Sequence, residues 1–291
     1  MLTLQWSTVR DRKQTCVVGK LYGYSDLSYR SGKKYIQKIV LIVSRVIIQV
    51  KMSSKLPFVR MSVYVFTITM HLSNIWYMAV SLEKDFKMVP ELKAFSKLQP
   101  RYFTCWTFFL QIVHAFAGIL CDVLVVVNSK NKTYRLPRLL KGFKNTLFSA
   151  VLWPSTLVVV TFFWSLYFYD RSLIYPSFVD QVLTSLSNHV MHTAILPIVI
   201  LEVACRPRAV PRSHRKNIIH LAFHFILYLL VLAYTYVEKG IWIYPIFSLF
   251  YGTVYFPLIL VSIALLALTS YHIQWPLTRY FHGEIGKVKN T

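Results

Sequence analysis

The sequence predicts an all-α polytopic membrane bundle with six transmembrane helices and both termini cytosolic, on three observations. Of its 291 residues 55% are hydrophobic and the mean hydropathy is +0.47, a composition outside that of ordinary soluble domains. Six apolar segments each reach the roughly 20 residues that cross a hydrocarbon core of about 30 Å. Positive charge, finally, gathers in alternate short loops, as cytosolic loops require.

The segments in order are 57–81, 102–127, 143–169, 178–205, 218–237 and 248–272. Lys130, Lys132, Arg135, Arg138, Lys141 and Lys144 fill the second loop, and Arg206, Arg208, Arg212, Arg215 and Lys216 the fourth. The third and fifth loops hold only Arg171 and Lys239. Even-numbered loops are therefore cytosolic, and so are both termini. The first loop runs against the rule, with Lys84, Lys87, Lys93, Lys97 and Arg101 beside three carboxylates. A bundle domain over 57–282 follows, with a basic extension over 1–56 and a tail over 283–291. The extension holds an apolar run over 35–50, interrupted by Lys38 and Arg45, too short and too charged to span. It reads as disordered or lying on the membrane surface. The tail carries Lys287 and Lys289, a two-lysine pattern that returns membrane proteins to the endoplasmic reticulum. The expected location is the endomembrane system, with the plasma membrane as the alternative.

The net charge of +22 is set by short loops and the extension, so topology and anionic lipid headgroups account for it without nucleic acid. Four cysteines show neither metal spacing nor a disulfide framework. Cys205 reads as an inert thiol, with palmitoylation as the rival. The sequon at Asn131 falls in a cytosolic loop and is expected to stay unmodified.

Polar residues inside the segments are concentrated. Thr104, Gln111 and Asp122, 7 and 11 positions apart, share one face of the second helix, and Ala115 and Gly118 near it admit a close neighbour. The fourth segment carries Gln181, Thr184, Ser185, Asn188, His189 and His192 before an apolar stretch over 195–203. An ionisable residue at membrane depth marks a functional site by default. His192 is a candidate general base and Asn188, one turn away, a candidate oxyanion donor, while interhelical hydrogen bonding is the structural alternative. A zinc site of His189, His192, His220 and His224 is a rival, weakened because the two pairs start from opposite faces. His114 reads as a packed histidine.

Five blocks together carry a resemblance: Arg101-Tyr-Phe-Thr104 with Gln111 and Asp122; the run from Phe163 to Pro176; Asn188-His-Val-Met-His-Thr193; Glu202-Val-Ala-Cys-Arg-Pro207; and Gly240-Ile-Trp-Ile-Tyr-Pro245. In order and spacing they resemble the family of the androgen-induced and androgen-dependent TFPI-regulating proteins, from about residue 57 to 282. The resemblance implies a six-pass hydrolase of fatty-acid esters of hydroxy fatty acids, with the family's threonine falling on Thr104 as nucleophile and its histidine on His192 as base. It implies no cofactor and no metal; the expected partners are the lipid ester and membrane lipids. The extension matches nothing in the family. A membrane scaffold or signalling regulator is the non-enzymatic alternative, and the sequence leaves the residue that orients His192 open, Asp180 being one option. With these boundaries Thr104 starts its helix while His192 lies about 20 Å into the fourth at 1.5 Å per residue, too far apart to meet unless the polar stretch over 180–188 sits in the interface or an outer water-filled cavity and the apolar part of that helix starts nearer His189.

Overall fold

A backbone in hydrocarbon must satisfy its own N–H and C=O groups, and the chain does so with helices. The computed structural model describes residues 56–85 and 95–283. The readings made above for the extension and the two-lysine tail, and for Lys87 and Lys93 of the first loop, lie outside the described residues. The helices are α1 (Leu56–Asp85), α2 (Phe103–Val127), α3 (Arg138–Tyr169), α4 (Ser185–His192), α5 (Ile195–Cys205), α6 (Arg215–Lys239), α7 (Pro245–Phe250) and α8 (Tyr255–His282), and no strand occurs among the described residues.

Five of these spans are long and apolar enough to cross a membrane: α2, α3, α4 with α5, α6 and α8. The first expected segment, α1, has 30 residues but is less apolar. Its polar Thr67, His71 and Asn74 are all buried, while Phe66 and Trp76 are exposed. α1 packs along α2, and Gly118 permits the approach, since a Cβ there would sit 2.5 Å from the Tyr64 ring. α8 packs along α3.

Two prolines shape the bundle. Pro154 has no N–H, and the turn before it widens to a π-helix over Leu147–Leu152, with the Trp153 N–H on the Phe148 carbonyl. The Ser149 carbonyl, left without its helical donor, accepts from Gln274 Nε2 at 2.9 Å. Pro197 likewise deprives the Thr193 carbonyl of a donor, and the Leu196 N–H turns back to Thr193 at 3.1 Å. The His192 carbonyl is thereby released and accepts from Trp164 Nε1 at 2.9 Å. The helix breaks there, so α4 ends at His192.

The expected segment boundaries shift accordingly. The fourth helix begins at Ser185 rather than at residue 178, because Thr184 caps it by accepting from the Ser187 N–H and a 3₁₀ turn occupies Ser177–Gln181. The last helix runs over Tyr255–His282, since the expected start of its segment falls in the short α7 and a turn with Gly252 at φ +81°.

Candidate active site

Thr104 is the second residue of α2 and His192 the last of α4. With α4 starting at Ser185, His192 lies only about 10 Å along it at 1.5 Å per residue. The apparent mismatch in depth disappears: Thr104 Oγ1 is 3.4 Å from His192 Nε2, and both side chains are buried.

The imidazole is held on three sides. Nδ1 lies 2.8 Å from Asn188 Oδ1 and 3.2 Å from the Asn188 backbone carbonyl. Both are acceptors, and a carbonyl in the main chain has no alternative assignment, so Nδ1 carries the proton. Nε2 therefore offers its lone pair to Thr104, whose hydroxyl donates. The ring stacks on Phe163 with centroids 3.5 Å apart and planes 4° from parallel. Asn188 thus orients the histidine through its carbonyl oxygen, and Asn188 is not among the residues that line the cavity onto which the pair opens. Asp180, the other option for orienting, pairs with Arg171 at the exposed surface instead.

The pair opens onto a cavity of about 270 Å³ between α2, α3, α4, α6 and α8, walled almost entirely by apolar side chains. Its few polar groups are Gln99, Thr104, Tyr175, His192, Tyr228 and Tyr244 with two neighbours at the start of α2. Burial pushes the Tyr244 phenol up to about 12, so it stays protonated; it accepts from the Phe103 N–H at 3.0 Å and pairs with Tyr228 at 3.0 Å. Ile226 and Leu229 line the cavity and are also 58% and 40% exposed on the outer face of α6. The cavity consequently reaches the side of the bundle beside α6, where α6 and α8 touch little.

The other polar residues of the sequence are distributed elsewhere. Gln111 donates to the Ile195 carbonyl at 3.1 Å and accepts from His71 at 2.7 Å, fixing the broken helix and α1. His189 is exposed and stacks on Trp164, His220 is exposed, and His224 is buried against Phe103 and Trp106 rather than at the interface beside the basic loop. The four histidines do not converge, and among the described residues no three His, Cys, Asp or Glu side chains gather as a metal set.

Asp122 lies 18 residues beyond Thr104, about 27 Å along α2, and belongs to a buried ion cluster. Arg60 and Arg206 bind it at 2.7 and 2.8 Å. Glu202 is held by Lys144 at 2.7 Å, Arg208 at 2.6 Å and the Tyr64 hydroxyl at 2.6 Å, with the packed His114 at 3.6 Å. Reading Lys144, Arg206 and Arg208 as loop charges missed this cluster. The signal was Glu202, a carboxylate inside an apolar segment, which needs buried partners.

Fold and site define a multi-pass helical membrane protein with a Thr–His–Asn arrangement at the mouth of an apolar, laterally open cavity. Comparison with known proteins supplies the family. Residues 59–276 match the model of the FAR-17a/AIG1-like protein family, and the chain belongs to that family. Human androgen-dependent TFPI-regulating protein is 35% identical over 150 residues, covering 51% of this chain and 62% of its own length; the mouse protein is 33% identical over the same shares. Human androgen-induced gene 1 protein is 27% identical over 141 residues, 47% of this chain and 59% of its own length. The matched region thus spans about three fifths of each relative. No solved structure matches the chain.

Proposed function

We propose that the chain is an integral-membrane hydrolase of fatty-acid esters of hydroxy fatty acids, with Thr104 as nucleophile and His192 as base. The observation that carries this reading is the buried Thr104 hydroxyl 3.4 Å from His192 Nε2, with Nδ1 protonated against Asn188, at the wall of an apolar cavity. Distances of this kind commonly tighten when substrate binds.

In the first half-reaction Thr104 Oγ1 attacks the ester carbonyl carbon while its proton passes to Nε2. Collapse of the tetrahedral adduct breaks the bond to the hydroxy fatty acid, whose departing oxygen takes that proton from Nε2. Water then attacks the acyl-threonine, giving its proton to Nε2; the Thr104 oxygen leaves, recovers the proton and releases the fatty acid. Asn188 accepts from Nδ1 throughout, a bond that strengthens when the ring becomes cationic. An ester with two long chains matches an almost wholly apolar chamber that opens sideways.

The reading includes α1 as a sixth span, its polar side turned inward and Phe66 and Trp76 outward. It also keeps both termini in the cytosol, on the charge of the even-numbered loops, and an endomembrane location. The test is hydrolysis of a branched ester by membranes expressing the wild type, Thr104→Ala and His192→Ala at matched abundance, with and without a chelator. Loss of at least about 10³-fold in both variants, with no chelator effect, is the expected result. Activity surviving both substitutions overturns the assignment, and an inactive wild type favours the membrane-scaffold alternative.

A further inference from the structure

A threonine hydrolase needs donors for the carbonyl oxygen that becomes negative on attack, and this contribution is usually among the largest in acyl transfer. Asn188 does not line the cavity, so the candidate donors are among the groups that do. Two groups beside Thr104 carry unspent hydrogens. Gln99 lines the same cavity, and its Nε2 is buried without a hydrogen-bond partner among the described residues. A buried amide left unpaired in an apolar wall is costly, and such groups call for an explanation. The second is the Thr104 backbone N–H. It belongs to the first turn of α2, where N–H groups have no helical acceptor. Its neighbours are taken: Phe103 N–H goes to Tyr244, and the N–H groups of Cys105 and Trp106 go to the Tyr102 carbonyl. For Thr104 N–H no acceptor occurs among the described residues.

The local chain brings both residues to the wall of one cavity. Gln99 opens the 3₁₀ turn Gln99–Arg101, and its carbonyl accepts from the Tyr102 N–H at 3.1 Å, which folds the residue back over the start of α2. Pro100 follows it, and the Pro100 carbonyl is fixed by Trp106 Nε1 at 2.9 Å. The turn is therefore tied at two points ahead of the nucleophile, and the Gln99 side chain reaches into the cavity from there.

We infer that Gln99, through its side-chain amide, and Thr104, through its main-chain N–H, form the oxyanion site of this chain, donating to the carbonyl oxygen of the ester as Thr104 attacks. The inference rests on the hydrolase reading above and adds a catalytic residue to it. The start of α2 contributes its partial positive charge at the same point. No proton is transferred by Gln99; both hydrogen bonds shorten as charge develops and relax when the adduct collapses.

The experiment compares wild type, Thr104→Ala, Gln99→Leu and Gln99→Asn in lipid nanodiscs. Three quantities are read: kcat and KM on a branched ester, affinity for a trifluoromethyl ketone bearing the acyl chain, and affinity for the free fatty acid. The ketone forms a hemiketal with Thr104 and mimics the adduct; the fatty acid reports the apolar cavity. Gln99→Leu is expected to lower kcat by about 10²- to 10³-fold with KM within a factor of about three. It should weaken the ketone by a similar factor while fatty-acid binding stays unchanged, and Gln99→Asn should fall between. Full activity of Gln99→Leu beside an inactive Thr104→Ala overturns the oxyanion assignment and leaves the hydrolase reading standing. Loss of fatty-acid binding in step with activity makes Gln99 architectural and also overturns it. An inactive wild type removes both readings together.

Discussion

Replacing Asn188 with Ala tests whether this side chain serves by holding His192. The substitution deletes the 2.8 Å bond to Nδ1 and leaves the backbone carbonyl of the same residue at 3.2 Å. In the resting site the lost bond joins neutral groups and is worth about 1 kcal/mol, whereas against the imidazolium of the transition state it is worth about 1.5–3 kcal/mol. Only the difference, roughly 0.5–2 kcal/mol, slows the reaction, which corresponds to a fall in kcat of about 2- to 30-fold. KM should hardly move, because Nδ1 points away from the cavity side of the ring that faces Thr104. The assay is steady-state hydrolysis of a branched lipid ester in nanodiscs, with initial rates over a range of substrate mole fraction. A loss as large as that of His192→Ala would refute the reasoning by making Asn188 a participant in the chemistry. An unchanged kcat would refute it equally, since the backbone carbonyl alone would then suffice.

Other outcomes follow from the same structure. Glu202→Gln strips the counter-charge from Lys144 and Arg208, 1% and 5% exposed, and should destabilise the protein by about 3–5 kcal/mol, read as a lower melting temperature in detergent. Replacing Glu202 and Lys144 together by Met should cost less than Glu202→Gln alone, because no unpaired carboxylate or ammonium from that pair remains. Gly118→Ala drives a methyl against the Tyr64 ring and should cost about 1–3 kcal/mol by the same measurement, while Gly142→Ala, where a Cβ meets nothing within 4 Å, should not. Ile226→Trp, at the side opening, should depress hydrolysis of a long-chain ester in nanodiscs severalfold and spare a short water-soluble ester; equal effects on both would show that lipid does not enter beside α6.

Several features were legible because they follow from composition and short-range spacing. Apolar segments separated by charged loops imply membrane helices whatever their packing, since hydrocarbon leaves the backbone no other partner. Thr104 and His192 were accessible from the polar residues of their segments and from the resemblance. Asn188 was also within reach, four residues before His192 and so on the same helical face. Its contact with His192 Nδ1 was not legible, because spacing places a side chain without saying which of its atoms is engaged.

The boundaries of the fourth helix could not be read from hydropathy. The 3₁₀ turn at Ser177–Gln181 is absorbed into the longer apolar segment when hydropathy is averaged, and the cap at Thr184 acts through one hydrogen bond that no average detects. That error alone produced the disagreement in depth between Thr104 and His192. The basic residues around Glu202 and Asp122 were misread for a related reason, since a lysine or arginine at a helix end is equally at home in a loop or folded inward. Only the packing of α1, α3 and α5 decides.

The sequence by itself determined the all-helical membrane class and the family, and it nominated Thr104 and His192 for the candidate site. These depend on residue type and on separations within a few turns. Tertiary structure decided which nitrogen of His192 faces Thr104, what fills the cavity wall and which buried charges pair. Each of those joins residues dozens of positions apart, such as Thr104 with His192 or Tyr64 with Glu202. They exist only where proline breaks, a π-turn and a close helix approach at Gly118 bring the helices into register.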